Sequence, residues 1–444
     1  MLASAVALLG LTIGGLSAVG EGEPEASDED TSSAATIPAN VVPEGSAIPE
    51  GAYLVGMPPT RSPIPDIDVR DRLPRSTRRR HLVLPAPTVR TQPLVGLMIG
   101  LGLTYAYRPT PAAVNRVFLN AHARISLRRV HEHGFRLSFA DWLGRGEIFE
   151  IVGSVRLDPV FPFYGFDPRL VLDDRSIADP HFLNRVNTYA LSFTYQHPIW
   201  RAGPDGPARV RGSLRGLVGL SYALDQVQIE RPDALLAAEM PGAIGLTRRG
   251  GIKVGLVWDR RDNTWSPRWG GLHSAIIETG GPWTGSSIGS WARVNVALRW
   301  YRHLFFRDLV LANALIVDAL VGDVALVPLG QIGGLSDVDA IGGRDLGRGY
   351  IHRRFIGRNK AIYSMELRFE PFELKVRRHV VGAGFKLFAD IGRVFRGGET
   401  VFDNNRVTGG PGAYVAIDRF SLIRFDAGFS SEMVAFYVTG EHSF

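Results

Sequence analysis

The stretch RVFLNAHARISLRR, residues 116–129, places Val117, Leu119, Ala121, Ala123, Ile125 and Leu127 on one face and Asn120, His122, Arg124, Ser126 and Arg128 on the other. Strict alternation marks a β-strand, in which successive side chains point to opposite sides. The period of two returns in TYALSFTYQ (188–196), WARVNVALRWY (291–301) and IYSMELRFE (362–370). A soluble sheet also alternates, with its polar face in water. Three features favour a barrel in a membrane instead: runs of ten or more residues, aromatic residues at their ends (Tyr105, Trp200, Trp258, Trp269, Trp300, Tyr301) and an aromatic final residue, Phe444. The expected fold class is all-β, a transmembrane antiparallel barrel. Fifteen candidate strands can be counted, from 94–106 to 432–443. Single-chain bacterial barrels have an even number, so sixteen strands are expected, with the missing one in 157–186 or 224–249.

The rest of the composition narrows the alternatives. No segment reaches the roughly 20 apolar residues of a membrane helix; residues 94–107 come nearest but carry three glycines. A formal charge of +6 over 444 residues gives no case for nucleic acid. The absence of cysteine excludes disulfides, thiolate metal sites and a cysteine nucleophile. Residues 1–19 read as a signal peptide, an apolar run followed by small and then acidic residues. Residues 20–92, acidic and proline-bearing and then basic at RSTRRRH (75–81), read as a disordered tail that cannot bury enough apolar area to order itself. The barrel is expected to occupy 93–444.

Strand parity also orients a charged region. In GFKLFADIG (384–392), Phe385, Leu387, Ala389 and Ile391 form the lipid face, so Lys386, Phe388, Asp390 and Gly392 point into the lumen; by the same parity Glu366 points inward. Unpaired carboxylates in a partly dehydrated interior are costly, and an arginine fork would satisfy them. Upstream lies RDLGRGYIHRRF (344–355), four arginines in twelve positions. Counting strands back from a last strand that ends in the periplasm makes this the sixth external loop.

Together these residues resemble the BamA/TamA outer-membrane assembly and translocation superfamily, the bacterial surface antigen barrels. Arg348, Gly349 and Tyr350 match the Arg-Gly-aromatic core of that family's sixth loop, although Gly347 stands where valine is usual. Phe388, Asp390 and Gly392 match its Phe-x-Asp-x-Gly strand. Asp259, Arg261, Asp262, Asn263, Pro267 and Gly270 match its Asp-x-Arg-Asp-Asn…Pro…Gly hairpin, and FYGF (163–166) resembles a further segment. The resemblance implies that loop six folds inward with Arg348 on Asp390, Glu366 nearby, and Tyr350 packed inside. It also implies outer-membrane insertion or translocation of polypeptide through a weak seam between the first and last strands. Those strands are expected at 94–106, with Gly96, Gly100 and Gly102 weakening pairing, and at 432–443, ending in Phe444. Residues 20–92 lack the apolar content of the POTRA domains the family usually carries, so a POTRA-less member is expected. Arg353, Arg354 and Arg358 stay open between the lumen and a solvated loop that meets lipopolysaccharide.

No enzyme is expected. GSSIG (285–289) has the Gly-x-Ser-x-Gly pattern around Ser287 but sits between two alternating strands, without the strand-turn-helix context a nucleophile needs. HEHG (131–134) offers His131 and His133 without a third ligand and reads as an exposed turn; no metal and no cofactor are expected. The partners expected are outer-membrane lipids, lipopolysaccharide and client polypeptides. The alternatives are a passive pore and a translocator for a separately encoded surface protein.

Overall fold

The computed structural model describes residues 81–107, 116–167, 170, 172, 176–201, 213–263, 266–376, 379–395, 403–417 and 421–440. The expected signal peptide, the tail up to residue 80, and Phe444 lie outside them.

The outward faces are apolar because nothing in the protein covers them. On the strand that carries GFKLFADIG, Phe385 and Leu387 are exposed to 57% and 60%, while Lys386, Phe388 and Asp390 are buried. Inverted polarity of this kind fits a wall with lipid outside and a polar interior. Sixteen antiparallel strands close into that wall. They are β1 (His81–Gln92), β2 (Gly96–Tyr107), β3 (Val117–Ser126), β4 (His131–Ala140), β5 (Ile148–Pro162), β6 (Leu183–Arg201), β7 (Ser213–Ile229) and β8 (Gly245–Asp259). Next come β9 (Gly270–Gly280), β10 (Trp291–Leu304) and β11 (Phe306–Gly322), then β14 (Asn359–Val376), β15 (His379–Phe395), β16 (Arg406–Ile417), β17 (Ser421–Phe429) and β18 (Val434–Thr439). Two short strands, β12 (Gln331–Ile332) and β13 (Val338–Asp339), pair with each other inside the connection from β11 to β14. Trp142, Trp200, Phe305 and Phe372 lie exposed at one rim and Trp283 at the other, where the amphipathic interface of a bilayer favours aromatic rings.

The sixteenth strand is β1, in the segment expected to be tail, and not in 157–186 or 224–249. Among their described residues those two gaps hold the ends of β5 to β8 and short helical turns, 176–178, 235–239 and 241–243. β1 pairs with β2 along its whole length. Its alternation is masked in sequence because Pro85 and Pro87 share the exposed face with Val83 and Val89, whereas Arg90 and Gln92 are buried. Proline is tolerated there because an edge strand does not need every N–H. The barrel therefore begins at 81, and the first-strand assignment of 94–106 is corrected: Gly96, Gly100 and Gly102 belong to β2, one strand away from the seam. Close approach accounts for two of them. A Cβ on Gly100 would lie 1.9 Å from the Ala123 carbonyl oxygen, and one on Gly102 2.9 Å from Thr88 Cγ2.

HEHG is also corrected, since it opens β4 and does not form a turn. Its Glu132 faces the lumen and accepts from Arg90 and from Arg124 Nη1 at 3.1 Å. At the far end, Phe163, Leu236, Val327, Leu329 and Ile356 form an apolar cluster that ties three loops together.

Candidate functional site: loop six in the barrel lumen

On the sidedness expected from sequence the 323–358 connection is the sixth external loop, and its residues 347–350 bond the inward-facing Asp390, Glu366 and Tyr437. Arg348 is fully buried. Its fork grips Asp390, Nε to Oδ2 at 3.0 Å and Nη2 to Oδ1 at 2.9 Å, and Nη1 donates to Glu366. The backbone N–H groups of Gly347 and Arg348 add two more bonds to Asp390 Oδ2, each 3.1 Å. The guanidinium lies 3.7 Å from the centre of the Phe388 ring, a cation–π geometry in a dry site. Arginine suits this position because its planar, permanently charged fork fits a carboxylate edge-on.

A single buried pair would not compensate both carboxylates. Glu366 also accepts from Lys386 Nζ at 3.0 Å and from Arg368 Nε at 2.8 Å. Lys386 Nζ donates at 3.0 Å to Asp426, which lies 3.2 Å from Arg424 Nε; Arg424 Nη2 in turn reaches Asp345 Oδ1 at 3.2 Å. Arg348, Arg368, Lys386 and Arg424 thus interleave with Glu366, Asp390, Asp426 and Asp345. A network of matched charge avoids the cost of an isolated buried ion. Lys386, Arg368, Arg424 and Asp426 are not among the site residues expected from sequence. Their signal was the same inward parity that marked Asp390 and Glu366.

The loop tip docks backbone to backbone on β17. Gly349 takes φ +121°, and a Cβ there would lie 2.9 Å from the Phe429 carbonyl carbon; a Cβ on Gly428 would lie 2.7 Å from the Arg348 carbonyl. Tyr437 Oη accepts from Gly349 N at 3.1 Å and donates to Tyr350 O at 3.0 Å. Tyr350 is buried against Phe355 and bonds Ser431 Oγ at 3.0 Å. Gly392, with no side chain, leaves room for Ile341. The other arginines divide. Arg354 is buried and grips Glu432 through two bonds of 2.7 Å, and Arg353 donates to Asp339 at 2.8 Å, whereas Arg358 is exposed. The FYGF segment meets them here, with Tyr164 under Arg354. The hairpin residues Asp259, Arg261, Asp262, Asn263, Pro267 and Gly270 sit at the opposite end of the barrel. There Arg261 clasps Asp259 through bonds of 3.0 and 2.9 Å. Among the described residues no group of His, Asp and Glu is placed to hold a metal.

A sequence model of the Omp85 superfamily domain matches residues 158–430, across loop six and the strands that hold it. The chain belongs to the Omp85 superfamily. Barrels of this superfamily reside in outer membranes. Solved structures similar to this Omp85 chain include BamA from Haemophilus ducreyi lacking POTRA domains 1–3, 13% identical, with a TM-score of 0.48 and coverage of 82% of this chain and 70% of that one. CdiB from Escherichia coli is 14% identical (TM-score 0.48; 81% and 62% covered), and CdiB from Acinetobacter baumannii 12% (TM-score 0.45; 81% and 59%). The chain therefore spans less than two thirds of the two CdiB chains. No curated protein matches the sequence.

His352 is expected to give loop six of this Omp85 barrel a pH dependence. It is fully buried beside Arg156, Asp158, Asp339 and Arg353, and neither ring nitrogen has a hydrogen-bond partner. Burial, reinforced by Arg156, pushes its pKa down to about 4. Below the usual value of 6.5 the unfolded chain takes up a proton that the folded loop refuses until about pH 4. Stability is therefore expected to fall as pH drops through that window, by about 3 kcal/mol if the whole shift is expressed. Urea unfolding of wild type and His352→Gln at pH 7 and pH 4.5 checks this: the variant should lose distinctly less.

Proposed function

We propose that the protein is a bacterial outer-membrane Omp85 barrel that inserts or translocates client polypeptide through the β1/β18 seam while loop six stays fixed in the lumen. The observation that carries this is the closing pair. Among the described residues β1 meets β18 in register at Thr91 and Val438 alone, whereas it pairs with β2 along all 12 of its residues. At that place a side chain adds to the bonding: Thr91 Oγ1 accepts from Val438 N and donates to Phe436 O, both at 3.0 Å. Pro85 and Pro87 deny β1 two N–H donors. An edge so sparsely paired is a template for an incoming strand, and opening it costs few hydrogen bonds. Lipids and lipopolysaccharide would surround the apolar wall, and no enzymatic step is involved.

A second route is favoured by a cavity of about 1980 Å³ beside loop six, lined by polar side chains such as Thr88, Asn120, Ser154 and Thr188 together with apolar ones. Passage through it, of solutes or of a separately encoded surface protein, would leave the seam shut.

The cysteine-free chain allows the two routes to be separated. Thr91→Cys with Val438→Cys places thiols on directly opposed residues, where a disulfide is geometrically accessible. In proteoliposomes the oxidised form is expected to lose insertion of a newly made outer-membrane barrel and to regain it on reduction. Unchanged insertion by the oxidised form overturns the seam mechanism, and retained passage of a secreted chain through that form establishes the lumen route.

A further inference from the structure

At the end of the barrel opposite loop six, the described residues of the connection between β8 and β9 bind β14, three strands along the wall from β9. Its shape is braced from within: Asp262 Oδ1 accepts from Arg268 N at 2.9 Å and Trp269 N at 3.1 Å, and Asn263 Oδ1 accepts from Ser266 N at 3.1 Å. Gly270 takes φ +97°, where a Cβ would lie 1.9 Å from the Arg260 carbonyl oxygen. From this braced turn Arg268 Nη2 reaches Glu370 Oε2 on β14 at 2.7 Å, with both side chains largely buried. β10 and β11 stand between β9 and β14, about 14 Å of wall at ordinary strand spacing, and the Arg268 contact bridges them on the inner side.

Glu370 is the last member of a series. Ser364, Glu366, Arg368 and Glu370 share the inward face of β14, about 7 Å apart. Glu366 holds Arg348, and Arg368 binds Glu366 through bonds of 2.8 and 2.7 Å. Loop six and the hairpin therefore reach one ladder of alternating charge from opposite ends of the barrel.

We propose that Arg268, on the braced turn that leads into β9, is a periplasmic latch for loop six. Lifting Arg268 away leaves Glu370 uncompensated in a buried site; Glu370 then draws Arg368 from Glu366, and the seat of Arg348 loosens. A polypeptide entering from the periplasm and displacing the hairpin would release loop six from below. The latch is independent of whether the β1/β18 seam opens, so its failure and the failure of the seam mechanism are separate results.

The test is a cysteine reporter in the full chain reconstituted in lipid vesicles. Ile351 is 1% exposed and packs with Tyr164 and Leu172, so Ile351→Cys is protected from maleimide while loop six is seated. Glu370→Gln and Arg268→Gln are each expected to raise the labelling rate about tenfold, the size of an ordinary intersite coupling. The reversed pair, Arg268→Glu with Glu370→Arg, should restore slow labelling, which a merely structural defect would not. Wild-type rates in both single variants, or a reversed pair no slower than the singles, overturn the latch. Where one single variant loses heat-modifiable migration and so has not folded, the other single and the reversed pair decide.

Discussion

Arg348→Gln is expected to unseat loop six and to lower the stability of the barrel by about 3–5 kcal/mol, the usual consequence of removing one partner from a buried ion network. Glutamine keeps most of the length but none of the charge, so Asp390 would lose its fork and Glu366 one of its three cations. Urea unfolding in lipid or detergent reads the stability, and single-channel recording reads the lumen, where the wild type should be quieter than the variant. Adding Asp390→Asn to Arg348→Gln should recover part of the loss, because Arg368, Lys386 and Arg424 are then matched by Glu366, Asp426 and Asp345. A double variant as unstable as the sum of two singles would mean the network is not coupled. A single variant as stable and as silent as wild type would remove Arg348 from any role in holding the loop.

The parts of the architecture that were legible in sequence are those where one local rule acts alone. Alternation placed Lys386, Asp390 and Glu366 in the lumen because, in a wall one strand thick, facing lipid or lumen is the only choice a side chain has. The same rule reaches Arg424 and Asp426, which flank the exposed Phe425 and follow the exposed Ile423, although no motif points to them. β1 was hidden for a different reason: Pro85 and Pro87 lower strand propensity, and their tolerance depends on an edge position that is defined by the closed barrel and not by neighbouring residues. The fates of Arg353, Arg354 and Arg358 were open because they are set by long-range partners. Glu432 lies 78 positions from Arg354, and no periodicity relates the two. For the same reason the contact from Arg268 to Glu370 is absent from any local pattern.

Gly349→Val should rank beside Arg348→Gln in effect, although it alters no charge. The φ of +121° is closed to a β-branched side chain, at a cost on the order of 1–3 kcal/mol for the strain alone. The added Cβ would also stand within about 3 Å of the Phe429 backbone, which cannot swing aside as a side chain can, because Phe429 is held in β17. The loop tip would have to lift, breaking the bonds from Gly349 N to Tyr437 and from Ser430 to Gly349 O. Gly392→Ala, in the same site, is the informative contrast. The atoms nearest its Cβ would all belong to the Ile341 side chain, at 3.1–3.2 Å, with no unfavourable φ, so relaxation of that rotamer should confine the loss to about 1.5 kcal/mol or less. Urea midpoints together with maleimide labelling of Ile351→Cys would order the two variants. If Gly392→Ala proved the more damaging, the seating of loop six would rest on the Ile341 side of the lumen and not on its backbone contact with β17. With the expected order, the glycine of the Arg-Gly-aromatic motif is there for proximity: it lets the loop backbone approach the wall closely enough for Arg348 to reach Asp390.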